Sequence, residues 1–188
     1  MKEELTHQES LDLITEMIKQ AKRNVAKGGS KQILLWGWTI ALANFGHYFL
    51  AMAGIPSPYI IWLITIPAAV TSAVIGTKMR QSGATGHIDS VYAKVWIAAG
   101  ISIVICLSMM HKINFNHNAV ILLIAGMGMF ITGSLLRFTP ILLGSFVLWL
   151  AALISFNLPE IQQYVVAGSA IILGYLIPGY LLKRAERG

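Results

Sequence analysis

Residues 32–53 read QILLWGWTIALANFGHYFLAMA, 22 positions without a charged side chain. A bilayer core of roughly 30 Å is crossed by about 20 apolar residues in a helix, so this run has the length of a membrane span. Its alternatives fail on composition. The chain of 188 residues is 56% hydrophobic and 12% charged, where soluble domains carry about 25% charged residues. A water-soluble fold of this size has too much surface to hide that apolar content. Lipid is the expected solvent.

Five further runs follow, at 57–76, 92–110, 118–136, 138–156 and 161–182. Backbone N–H and C=O groups in hydrocarbon must bond within their own segment, so each run is expected to be a helix. The predicted fold is all-α: a polytopic membrane protein with six transmembrane helices arranged as three helical hairpins, preceded by one N-terminal amphipathic helix. Residues 1–30 form the cytoplasmic helix with a Gly-Gly hinge, and residues 31–188 form the bundle with a short tail.

The formal net charge of +6 does not point to nucleic acid, because the bases punctuate the apolar runs instead of clustering. With the N-terminus cytoplasmic, 13 of the 14 Lys and Arg residues face inward and only Lys112 faces outward. That bias is the positive-inside pattern of an inner-membrane protein with both termini in the cytoplasm. Ala51-Met52-Ala53 has the small-x-small form of a signal peptidase site, but the polar first 31 residues and the long first run favour an uncleaved span. The lone Cys106 excludes an intramolecular disulfide.

Gly54–Ser57, His111–His117 and Asn157–Glu160 are short connections, expected within hairpins. Spans 2, 4 and 6 end in Gly76-Thr-Lys-Met-Arg80, Gly133-Ser-Leu-Leu-Arg137 and Gly179-Tyr-Leu-Leu-Lys183. A threefold duplication explains this echo, and so does the recurrence of snorkelling bases at any inner boundary.

Thr6 and Glu9 have the spacing of a capping box. Behind them Leu11, Ile14, Ile18, Ala21 and Val25 recur at helical intervals and make one apolar stripe. Acidic residues precede basic ones along this helix, in the order that complements its dipole. The stripe suits three occupants: the lipid headgroup region, the protein's own bundle, or a partner or second copy.

The spans contain no Asp, Glu, Lys or Arg deep in the hydrocarbon, which argues against ion-coupled transport. His47 is the exception in kind, about 22 Å along the first span, with Asn44 three residues earlier on nearly the same face. Interhelical hydrogen bonding is the plain account of this candidate polar site; a pH-sensing role is the sharper one. Cys106, Met109, Met110, His111 and His117 gather soft donors at the expected outer side, with Met52 near the top of span 1. Thioether, thiol and imidazole suit Cu(I), yet no pair has a diagnostic spacing and methionine is an ordinary gap-filler.

No HExxH, GxSxG or P-loop occurs, so no catalytic residue and no cofactor is assigned. Ala68, Ser72 and Gly76 in span 2, and Ala170 and Gly174 in span 6, sit four apart and favour close helix approach. Pro67 and Pro178 are expected to bend their spans.

Glu9-Ser-Leu with Ile14 and Met17-Ile18, Leu34-Leu-Trp-Gly-Trp38, Gly46-His47-Tyr48, Gly133-Ser-Leu-Leu-Arg137-Phe-Thr-Pro140 and Ile177-Pro-Gly-Tyr-Leu-Leu-Lys183 together resemble a family of small bacterial inner-membrane proteins. The resemblance implies the architecture of a cytoplasmic helix plus six spans, and encoding near winged-helix transcription regulators, a hint of stress or envelope regulation. It implies no activity. Two functional classes follow: a non-enzymatic membrane anchor, sensor or regulatory partner, and a small permease for a neutral solute along Asn44, His47, Thr71 and Ser72.

Overall fold

The structure is a computed structural model that describes residue 8 and residues 29–81 and 87–187. The expected N-terminal helix and its stripe (Leu11, Ile14, Ile18, Ala21, Val25) lie outside the described residues. Among those described, every regular element is helical. In chain order they are α1 (Gly29–Met52), a 3₁₀ segment (Pro58–Ile64) running into α2 (Thr65–Gln81), α3 (His87–Ser108), α4 (His117–Leu136) and α5 (Thr139–Ser155). The last rod is α6 (Glu160–Ile171), a π-helical turn (Ile172–Leu176) and α7 (Ile177–Ala185). Six rods therefore follow the six apolar runs.

Five stretches are long and apolar enough to cross a membrane: Gly29–Met52, Pro58–Lys78, Ser90–Ser108, His117–Leu136 and Glu160–Ala185. The fifth rod, Thr139–Ser155, is apolar but shorter, at 17 residues. At 1.5 Å per residue it reaches about 25 Å, less than a full hydrocarbon core.

Proline explains two departures from regular α-helix. Pro67 offers no N–H to the carbonyl four residues back, and the chain upstream of it, which also contains Pro58, winds as 3₁₀ before turning α-helical at Thr65. Pro178 imposes the same gap on the last rod, and the preceding turn widens to π over Ile172–Leu176. There Gly174 meets Gly144 of α5 backbone to backbone: a Cβ on Gly174 would stand 2.6 Å from the Gly144 carbonyl oxygen. Small residues at this crossing let the two rods touch.

The closest pair of rods is α4 and α5, joined by Arg137 and Phe138. Arg137 adopts a left-handed φ of 49°, and the Phe138 N–H donates to the Gly133 carbonyl at 2.9 Å, the bond that closes a Schellman turn. The expected hairpin partners α1–α2, α3–α4 and α5–α6 also touch, but packing runs on through α4–α5 and closes where α1 lies along α6 and α7. The core fills the space between these rods with Ile33, Leu122, Met129, Ile141, Leu148 and Leu176.

The second and third rods stand outside that core. Trp36 and Gln32 of α1 hold Ser72 of α2, with the Trp36 indole donating at 3.2 Å and the Ser72 hydroxyl donating to Gln32 Oε1 at 2.7 Å. Trp96 of α3 donates to Thr132 of α4 at 3.2 Å. Their outer faces stay apolar and uncovered: Val70 is 61% and Val104 66% exposed. Apolar surface this continuous calls for a non-aqueous surrounding. Of the small-residue stripe in span 2, Ala68 is buried and Ser72 is used, whereas Gly76 faces open space.

Candidate functional site

At the end of the bundle away from residues 29 and 187, buried polar side chains from several rods meet. Helical spacing turns Asn44 and His47 of α1 inward together, and they are 2% and 9% exposed. The His47 ring stacks on Tyr164 of α6, centroids 3.9 Å apart and planes 13° from parallel. The Trp62 indole N–H, from the 3₁₀ segment, donates to His47 Nδ1 at 3.1 Å. Indole nitrogen only donates, so this bond requires an unprotonated Nδ1 and leaves the ring proton on Nε2.

Tyr164 reaches a second histidine. Its hydroxyl lies 3.2 Å from His117 Nε2, and the two rings meet edge to face at 5.9 Å. His117 was expected to close a loop; it is instead the first residue of α4, buried at 5% exposure. The preceding connection bends through Asn114 and Phe115, both at positive φ, which delivers the imidazole to the bundle interior. Alongside, Gln163 Nε2 donates to Asn116 Oδ1 and to the Leu158 carbonyl, each at 3.1 Å. Asn44 donates only to the Ile40 carbonyl of its own helix, at 2.8 Å.

Asn44 Oδ1, Asn118 Nδ2, Ser155 Oγ and Gln163 Oε1 are buried without a hydrogen-bond partner in the protein. A buried polar atom left without any partner costs about 1–3 kcal/mol of desolvation.

The soft-donor set does not assemble. Cys106 Sγ lies 3.9 Å from the His117 carbonyl, while the His117 ring turns to Tyr164. Met109 is half exposed, and His111 is exposed. Among the described residues, no three His, Cys, Asp or Glu stand together as a metal site. The proposed solute track is dispersed as well. Thr71 lies on the exposed side of α2 with its hydroxyl bound to the Pro67 carbonyl, and Ser72 faces Gln32 near the opposite end of α1.

Thus the structure joins His47 and His117, which the sequence places in two separate candidate groups, through Tyr164, with Trp62 bonded to His47. Neither aromatic carries a sequence signal beyond its place near a span end, where such residues are common anchors. The polar opening of the last rod, Glu160-Ile-Gln-Gln-Tyr164, is the one hint of an inward-facing cluster.

These features define a class: an all-helical bundle with several helices long and apolar enough to cross a membrane and a buried histidine–tyrosine–histidine layer at one end. No protein-family model matches the chain, and no match is found among curated proteins or solved structures.

Proposed function

We propose that this chain is a non-enzymatic inner-membrane anchor and sensor, with six spans and both termini in the cytoplasm. Its kinship is with the small bacterial inner-membrane proteins that its motifs resemble. The buried layer of His47, Tyr164, His117 and Trp62 near the outer face is the sensing element, and the N-terminal stripe is the output, engaging a protein partner. The observation that carries this reading is the meeting of two histidines from separate rods at one buried tyrosine. A proton on His47 Nδ1 removes the Trp62 bond and so acts on the packing of the second rod against the first. The charge bias of the loops supports the orientation.

The short fifth rod fits a sixth span if the bilayer thins locally or the rod stands upright. The permease reading draws less support, because Asn44, His47, Thr71 and Ser72 do not line one passage.

Photo-crosslinking from positions 14 and 18 in intact cells tests the proposal. A discrete protein adduct whose yield changes in Tyr164→Phe supports it. Recovery of lipid adducts alone rejects the partner output, and an adduct indifferent to both Tyr164→Phe and His47→Gln rejects the sensing layer.

A further inference from the structure

A groove of ≈ 650 Å³ opens sideways between α1, the second rod and α7. Its floor is one face of α1, from Lys31 through Leu35 and Trp38 to Leu42; Ile64 and Ile75 form one wall, and Tyr180 and Lys183 the other. From Lys31 to Leu42 the helix rises about 17 Å, close to half of a hydrocarbon core of roughly 30 Å. The groove is therefore one leaflet deep.

Its polarity is graded along that length. The polar atoms of the middle are engaged: Thr39 donates to the Leu35 carbonyl at 2.8 Å, and the Trp38 indole donates to the Tyr180 hydroxyl at 3.0 Å. What remains charged is at one end, where Lys31 and Lys183 flank the mouth. The antiparallel packing of α1 on α7, with Gly179 against Ile33 and Gly29 against Leu182, brings both lysines to the same end of the groove. The carboxylate next to them, Glu186, has both oxygens taken by Ser30.

We infer that this groove binds an anionic phospholipid of the leaflet on the side of the termini, an acyl chain along α1 and the phosphate between Lys31 and Lys183. The inference rests on the six-span reading for the placement of the lysines at the headgroup level. Paired bases at that level attract anionic headgroups, and an apolar groove one leaflet long accepts a chain.

Native mass spectrometry of the delipidated full chain in detergent, titrated with phosphatidylglycerol and with phosphatidylcholine of the same chains, tests it. The wild type is expected to favour phosphatidylglycerol, with about a fivefold loss for each of Lys31→Gln and Lys183→Gln and none for Lys112→Gln at the far end. Leu42→Trp, which shortens the slot without touching the lysines, is expected to weaken long-chain phosphatidylglycerol and spare the eight-carbon form. Equal binding of the two headgroups, or a preference that survives the double lysine variant, overturns the inference while leaving the membrane reading intact. Recovery of the full chain from the soluble fraction without detergent overturns both.

Discussion

Glu186 closes the N-terminus of α1 from 156 positions away: its carboxylate accepts the Ser30 backbone N–H at 3.0 Å and the Ser30 hydroxyl at 2.5 Å. The first N–H groups of a helix have no partner within it, and a carboxylate there also meets the positive end of the dipole. This contact ties the first described turn to the last. Glu186→Ala is expected to lower stability by about 1–2 kcal/mol, and Ser30→Ala by somewhat less. The double variant is expected to fall short of their sum. Thermal unfolding in detergent measures all three; strict additivity would show that the bonds do not act as a pair.

Close approach of α5 to the π turn makes Gly144 and Gly174 intolerant of any side chain. Gly144→Ala is expected to cost about 1–3 kcal/mol through forced separation of the rods. Gly76 and Gly100 meet nothing within 4 Å, and alanine there is expected to stabilise by about 0.5–1 kcal/mol, as in any exposed helix interior. Unfolding midpoints of the three variants check the contrast, which a uniform response would contradict.

Tyr164 makes two separable contacts, a stack on His47 and a hydroxyl contact with His117. Tyr164→Phe keeps the first and is expected to cost about 1 kcal/mol; Tyr164→Ala loses both and is expected to cost about 3 kcal/mol or more. His47→Gln is expected to leave the chain folded and inserted, since an amide oxygen can accept the Trp62 N–H. Membrane yield and thermal unfolding report on each. A His47→Gln chain that fails to accumulate would mean that the stacked ring itself holds the second rod in place.

Topology has its own test. Reporters fused after Arg80, after Arg137 and at the tail are expected to be active on the cytoplasmic side, and one at Lys112 on the opposite side. A tail reporter active on the opposite side, with Arg137 still cytoplasmic, would remove the fifth rod from the count of spans.

The rods were legible because hydrophobic length and the turn residues are local signals: the run at 118–136 became His117–Leu136, and that at 138–156 became Thr139–Ser155. What sequence could not supply was adjacency. His47 and Tyr164 are far apart in the chain, and nothing in either segment announces the stack. Gly174 was visible as a small residue four positions after Ala170, but its partner Gly144 has no small residue four positions to either side. The soft donors looked grouped because sequence compresses a loop whose folded form leaves Met109 exposed and carries His117 inward. The N-terminal stripe lies outside the described residues and stays an expectation.

The widened turn at Ile172–Leu176 acts as a phase shifter. It inserts roughly one residue beyond what an α-helix would use over the same height, so it sets the azimuth of everything downstream. Winding the same five residues as regular α-helix would spin α7 by about 100° about its axis. Tyr180 would swing away from Trp38, and Lys183 would leave the mouth it shares with Lys31. One surplus residue thus aims the tail.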